Sequence, residues 1–192
     1  MRKASVSDKD LVIKIISETF MENEGVNWMF SKRGSKDKKL RRLAEFTFWK
    51  CYNRDGVYLS DNEMGVALCY RNDKKVFSLK EKFFELKYAL TSIPWKRIPE
   101  VLKREASRNK IRSQDEVFYY FWFLGVLKEG TNAGFELYQE IEDIARADNI
   151  PIYLETAMEK NMKVYSRRGY ECYHHWKDDV KGIDFWFLRK RF

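Results

Sequence analysis

Glu129-Gly130-Thr131-Asn132-Ala133-Gly134 is the stretch of this chain with the clearest capacity for chemistry. Phe135, Tyr138, Ile141, Ile144 and Ala145 follow it at helical spacing, so a tight turn delivers the chain onto an amphipathic helix. Amides in such a turn and in the first helical turn have no intrahelical carbonyl to bond. Together with the helix dipole they make a place where a diphosphate can rest. Glu155 lies near the end of the apolar segment Pro151 to Thr156, read as a strand. Period two puts it on one face with Tyr153, opposite Ile152 and Leu154, as the first candidate for a general base. Tyr119, Tyr120 and Glu116 are further candidates whose simpler roles are packing and surface. Cys172 and His174 share a strand face and could begin a metal site. No second close pair of ligands accompanies them and His175 points the other way, so no metal is expected. Two adjacent histidines also give little support to a Ser-His-Asp or Cys-His nucleophile.

The elements that must position these groups can be read from the apolar pattern. Val117 to Val126 is an unbroken apolar and aromatic run, as expected of a central strand covered on both faces. Upstream, a short strand near Lys3 precedes a helix with Ser7 and Asp10 as its capping signal and a stripe of Leu11, Val12, Ile15, Ile16, Thr19 and Phe20. Leu40, Leu43, Ala44, Thr47 and Cys51 mark a second helix. Gly56 to Leu59 and Met64 to Tyr70 form an expected antiparallel pair around Asp61-Asn62-Glu63. Phe83, Leu86 and Leu90, joined by Phe84 and Tyr88, then Val101, Leu102 and Ala106, with Pro94 and Pro99 between them, predict a helical segment over 78–110. Tyr170 to Trp176 and Ile183 to Leu188 read as a terminal hairpin.

After the second apolar strand, Asn161-Met162-Lys163-Val164-Tyr165 leads through Arg167-Arg168 into Gly169-Tyr170-Glu171. With Leu124-Gly125-Val126 and the glycine turn before it, this order resembles the GNAT superfamily of acyl-CoA-dependent N-acyltransferases. That pattern is a strand ending in Gly-Val, a turn spaced Gln/Arg-x-x-Gly-x-Gly/Ala, a helix, a strand, and Asn-x-x-x-Tyr-x-x-x-Gly-Phe/Tyr-Glu. The likeness is strongest over roughly the C-terminal two fifths of the chain.

The resemblance implies an α/β fold of GNAT-like type, with a mixed, mostly antiparallel sheet flanked by helices. It implies one domain over 1–192, in which 78–110 is a helical insertion before the central strand. It implies transfer of an acetyl group from acetyl-CoA, as cosubstrate, to a primary amine by direct attack, without a metal. Backbone groups of Leu124 and Val126 would hold the pantetheine, and Thr131, Asn132, Ala133, Gly134 and Phe135 the diphosphate. Asn161 would bond the splayed backbone or the pantetheine amides, or cap the helix after it. Tyr165 would protonate the leaving thiolate. Trp28 and Phe30, in the loop after the first helix, and Tyr119 are the expected acceptor contacts. The turn departs from the pattern: Glu129 stands in place of Gln or Arg, Asn132 in place of the middle Gly, and the link from Val126 is about two residues short. Asn tolerates positive φ, so Asn132 can still supply the turn. A carboxylate at Glu129 about 5 Å from a phosphate charge would cost up to roughly 3 kcal/mol.

At 192 residues the chain can bury one substantial core, and no apolar run approaches the roughly 20 residues that cross a bilayer. Three widely spaced cysteines speak against a disulfide framework, and cytoplasmic residence is the default. A net charge of +8 suggests an anionic partner, for which nucleic acid, an acidic protein or the phosphates of CoA all qualify, and it disfavours polycationic acceptors. The runs Lys32 to Arg42, Lys103 to Arg112 and Arg189 to Arg191 are expected as solvated helix faces and tails rather than a nucleic-acid surface. The expected partner is a small-molecule or peptide amine. The insertion would cover sheet edge or contact a second copy in a homodimer, and a lid over the acceptor is its functional alternative. Two rival functions remain at this level: a GNAT-fold protein impaired in catalysis that binds CoA or a partner, and a basic nucleic-acid or ribosome-associated protein.

Overall fold

The computed structural model describes residues 1–112, 116–128, 131–178 and 183–192. Seven strands make one sheet: β1 (Arg2–Lys3), β2 (Val57–Leu59), β3 (Gly65–Arg71), β4 (Tyr119–Val126), β5 (Ile152–Thr156), β6 (Glu171–Asp178) and β7 (Ile183–Lys190). Their spatial order is β1-β2-β3-β4-β5-β7-β6, with β4 and β5 parallel and every other neighbour antiparallel. The helices are α1 (Lys9–Thr19), α2 (Glu24–Asn27), α3 (Lys36–Tyr52), α4 (Leu79–Ser92), α5 (Ile98–Ile111), α6 (Ala133–Ala147) and α7 (Glu159–Arg167). Val12, Ile15 and Ile16 of α1 and Leu40, Leu43 and Phe48 of α3 are buried with Val66 and Leu68 on one face of the sheet. Leu137, Ile141 and Ala145 of α6 are buried with Phe121, Leu154 and Leu188 on the other. The mostly antiparallel sheet flanked by helices is the architecture expected of the sequence.

One residue of β4 sets which side chains reach which layer. Leu68 pairs with Phe123 and Cys69 with Phe121, so Trp122 is an extra residue, a β-bulge. Tyr119 and Phe121 face the α6 layer, whereas Phe123, two residues on, packs with α1 and lies edge-on to Phe20 at 5.0 Å. Tyr119, one residue before Tyr120, lies by strand alternation on the face opposite Tyr120. Its hydroxyl donates to Asp148 beyond the C-terminal end of α6 (2.6 Å).

The chain departs from expectation at three local points. The turn into α1 is built by Ser5 and Asp8, whose carboxylate accepts the Ser5 amide at 2.7 Å, rather than by Ser7 and Asp10. Lys39, within the run expected to be solvated, is 4% exposed and donates to the carbonyls of Ser31 (2.6 Å) and Arg33 (2.5 Å), closing the loop before α3. Over 78–110 both helices form, but Phe83, Leu86 and Leu90 are 60%, 58% and 65% exposed. The contact face of α4 carries Tyr88, stacked on Phe46 at 6.0 Å, and Phe84, stacked on Trp49 at 6.1 Å.

Gly56 shows how closely the chain passes itself at the start of β2. A Cβ there would lie 1.5 Å from the Cys69 carbonyl oxygen, a backbone atom that cannot step aside. Gly56→Ala should therefore destabilise by about 2–4 kcal/mol, lowering Tm by roughly 5–15 °C in a thermal melt.

Candidate active site

β4 and β5 run together only for Tyr119↔Ile152, Tyr120↔Tyr153 and Phe121↔Leu154. Beyond that point β4 stays on β3 as far as Gly65↔Val126, while β5 stays on β7 as far as Thr156↔Trp186. The two strands thus part, and main-chain groups of β4 after Phe121 lose their β5 partners. Such groups need another donor or acceptor. The parting opens on a cavity of about 370 Å³, within the range of small-molecule sites. Its walls include Trp122 and Leu124 from β4, Glu155 and Thr156 from β5, Asn161 and Tyr165 from α7, and Trp28 after α2. Helices α3, α4 and α5 close the other side.

The expected site residues fall into three groups. Leu124, Asn161, Tyr165, Glu155 and Trp28 come together on the cavity wall. Thr131, Asn132, Ala133, Gly134 and Phe135 lie at the N-terminal end of α6, where Asn132 adopts φ 57° and the Thr131 carbonyl accepts from Asn62 Nδ2 at 3.2 Å. A Cβ on Gly134 would stand 3.1 Å from Val126 Cγ2, so the absent side chain lets this helix end come close to β4. Val126 belongs with that turn rather than the cavity wall, and Thr19 Oγ1 donates to its carbonyl at 3.3 Å. Glu129, at which the turn departs from the family pattern, lies outside the described residues. Phe30 and Tyr119 form the third group: Phe30 is 6% exposed behind the wall, edge-on to Tyr88 at 6.5 Å, and Tyr119 is on the α6 side. Neither lines the cavity, where the sequence suggested acceptor contacts.

α7 begins at Glu159 with Met158 as its N-cap, so Asn161 sits in the first turn and does not cap the helix. Its Nδ2 lies 3.8 Å from Met158 Sδ. One helical turn later Tyr165 packs in a triangle with Tyr138 (5.9 Å) and Tyr170 (5.5 Å). Burial, partly opposed by Arg168, pushes its phenol up to about 12. The group is thus fully protonated at neutral pH. Arg168 itself lies over the rings of Phe135 (4.5 Å) and Tyr138 (4.6 Å), placing a positive charge beside the α6 turn.

Glu155 is the largest departure from the expected chemistry. Its side chain is 4% exposed, and its two oxygens accept from Arg108 Nε and Arg112 Nε, each at 2.6 Å. Both arginines also donate to the Tyr120 hydroxyl (3.2 and 2.8 Å) and reach Glu105 (3.0 and 3.3 Å). Burial raises the pKa of Glu155, but the two guanidinium groups outweigh it and hold the carboxyl below its usual range. A carboxylate so stabilised is a poor proton acceptor. Its place in the site is to anchor α5 against β5. The basic run Lys103 to Arg112 concealed this, because a sequence pattern does not distinguish a solvated arginine from one turned onto a buried acid.

Elsewhere, Glu116 accepts from Arg191 (2.7 and 2.9 Å) at the far end of the sheet. His175 is stacked on Trp186 and lies 3.2 Å from Asp184. Among the described residues no group of three His, Cys, Asp or Glu side chains could hold a metal, and no helix is long and apolar enough to cross a membrane.

No protein-family model matches the sequence, and no curated protein matches it. Solved structures do. The acetyltransferase related to histone acetyltransferase HPA2 from Corynebacterium glutamicum aligns at TM-score 0.69 and 19% identity, over 99% of this chain and 94% of its own. The C-terminal condensation domain of Ebony, solved with β-alanyl-dopamine, aligns at TM-score 0.71 and 12% identity over 98% and 96%. A GNAT-family acetyltransferase structure from Desulfovibrio desulfuricans aligns at TM-score 0.54 and 13% identity over 100% and 96%. The parted strands, the seven-strand order and these alignments agree: the chain has the fold of the GNAT acetyltransferases.

Proposed function

We propose that this chain is an N-acetyltransferase that moves an acetyl group from acetyl-CoA to a primary amine by direct attack. The observation that carries the reading is the parting of β4 and β5 after Phe121 and Leu154, which opens on a cavity where Tyr165 and Asn161 meet the acceptor side. In this reading the pantetheine of the thioester bonds the free main chain of β4 near Leu124. The diphosphate rests on first-turn amides of α6, with Arg168 adding charge. The amine nitrogen attacks the thioester carbonyl, the C–N bond forms and the C–S bond breaks, and the amine proton leaves to water. Tyr165 donates its hydroxyl hydrogen toward the departing thiolate. Glu155 positions Arg108 and Arg112 and takes no proton. A nucleic-acid function loses support, because Lys39 is turned inward and Arg41 is engaged by Asp37 at 3.0 Å.

Calorimetric titration with acetyl-CoA, followed by thiol release with a panel of primary amines, tests the proposal. Micromolar binding and amine-dependent release are the expected results. No heat at hundreds of micromolar acetyl-CoA would leave a fold without the activity.

A further inference from the structure

Lys50, on α3, lines the same cavity, and the sequence reading gave it no role. Its ammonium sits among three rings, 4.8 Å from the centre of Trp122, 5.6 Å from Tyr70 and 5.8 Å from Phe46. Among the described residues it makes no salt bridge and no side-chain hydrogen bond. The cavity's carboxylates are already matched: Glu85 by Lys82 (2.7 Å), and Glu105 and Glu155 by Arg108 and Arg112. Lys50 is therefore the cation left over on an otherwise balanced wall.

Burial lowers the pKa of Lys50, and the more distant carboxylates of Glu105 and Glu85, each bonded to another cation, offset that only in part. The rings return part of that loss through their faces, but a carboxylate would return more. The rest of the wall is mostly aromatic and aliphatic, with Trp28, Tyr88 and Ile93 among them, and carries Asn23, Thr156 and Asn161 as neutral polar groups.

We propose that Lys50 receives a carboxylate on the acceptor, and that the acceptor class is an α-amino acid with an apolar or aromatic side chain. The inference rests on the transferase reading above. It specifies that the substrate brings an amine, a negative charge and an apolar body to one cavity, and it sets such acids apart from simple arylalkylamines of the same bulk.

The test compares L-phenylalanine with 2-phenylethylamine, which share ring and amine and differ in the carboxylate. With saturating acetyl-CoA, and with rates expressed per unprotonated amine, the wild type should favour phenylalanine by at least about tenfold in kcat/KM. In Lys50→Met the ratio should fall to near one, and in Lys50→Arg most of it should remain. The ratio is taken within one variant, so partial misfolding cancels. A wild type that prefers 2-phenylethylamine, or a preference that survives Lys50→Met, overturns the assignment. Loss of the preference in Lys50→Arg as complete as in Lys50→Met also overturns it, and points to a proton acceptor instead. If acetyl-CoA binds but neither amine is acetylated, the transferase reading fails separately. Equilibrium dialysis of N-acetyl-L-phenylalanine against N-acetyl-2-phenylethylamine, with CoA present, then decides this inference: tighter binding of the acid, lost in Lys50→Met, supports it, and equal binding refutes it.

Discussion

Tyr165→Phe should lower turnover by about 10²–10⁴-fold while leaving acetyl-CoA affinity within a few-fold of the wild type. The substitution removes one oxygen and keeps the ring that packs against Tyr138 and Tyr170, so the fold and the cavity wall stay in place. Only the donor is lost. With the phenol pushed up to about 12, above an ordinary thiol, complete transfer of its proton to the thiolate runs uphill. In the transferase reading proposed above the hydroxyl then acts by stabilising charge on sulfur as the C–S bond breaks, and the lower half of that range is expected. The same elevation fixes the pH dependence. A group protonated up to about pH 12 supplies no alkaline fall in kcat between pH 7 and 10, so an alkaline limb in that window must come from elsewhere. Single-turnover kinetics of both proteins across pH measure this directly. Equal turnover in the phenylalanine variant would remove Tyr165 from the chemistry.

How much of this was legible beforehand depended on the kind of pattern involved. The strand at β4, the helix after the glycine turn, β5 and the terminal hairpin were visible because each repeats apolar residues at its own period or in an unbroken run. Asn132 at φ 57° was legible for a similar reason, since few residues other than Gly accept that backbone. The bulge at Trp122 was not, because an extra residue in a wholly apolar strand leaves no break in the pattern. That bulge is what separates Phe123, which packs with α1, from Tyr119 and Phe121 on the α6 side. In α4 the helix was evident but its orientation was not. Phe83, Leu86 and Leu90 form the more obvious stripe, yet the buried side is that of Tyr88, with Phe84 packed against the core. Two apolar stripes on one helix give no sequence criterion for which faces inward. Charge partnerships were least legible of all. Glu155 is 43 residues from Arg112 in sequence, and only the fold brings them together.

That partnership carries the second large effect. Glu155→Ala should destabilise the protein by about 3–5 kcal/mol, because it leaves Arg108 and Arg112 facing each other beneath the cavity without their shared counter-ion. At this chain length the loss lowers Tm by roughly 6–20 °C. Glu105 does not compensate, since its side chain is 46% exposed and its attraction is screened by water. The pH dependence follows from the direction of the shift. The folded carboxyl titrates below its unfolded value of about 4.3, so its contribution is complete above that value and disappears as pH falls through the folded pKa. Urea unfolding of wild type and variant should therefore show the full gap at pH 7 and a narrowing gap below about pH 4. A companion variant, Tyr120→Phe, separates the ion pair from its hydrogen-bonded neighbour: it removes only an acceptor of the two guanidinium groups, and should cost about 1–3 kcal/mol. Were Glu155→Ala no less stable than wild type at pH 7, the carboxylate would be dispensable to the α5 anchor. The case for it as a free base facing the cavity would then reopen.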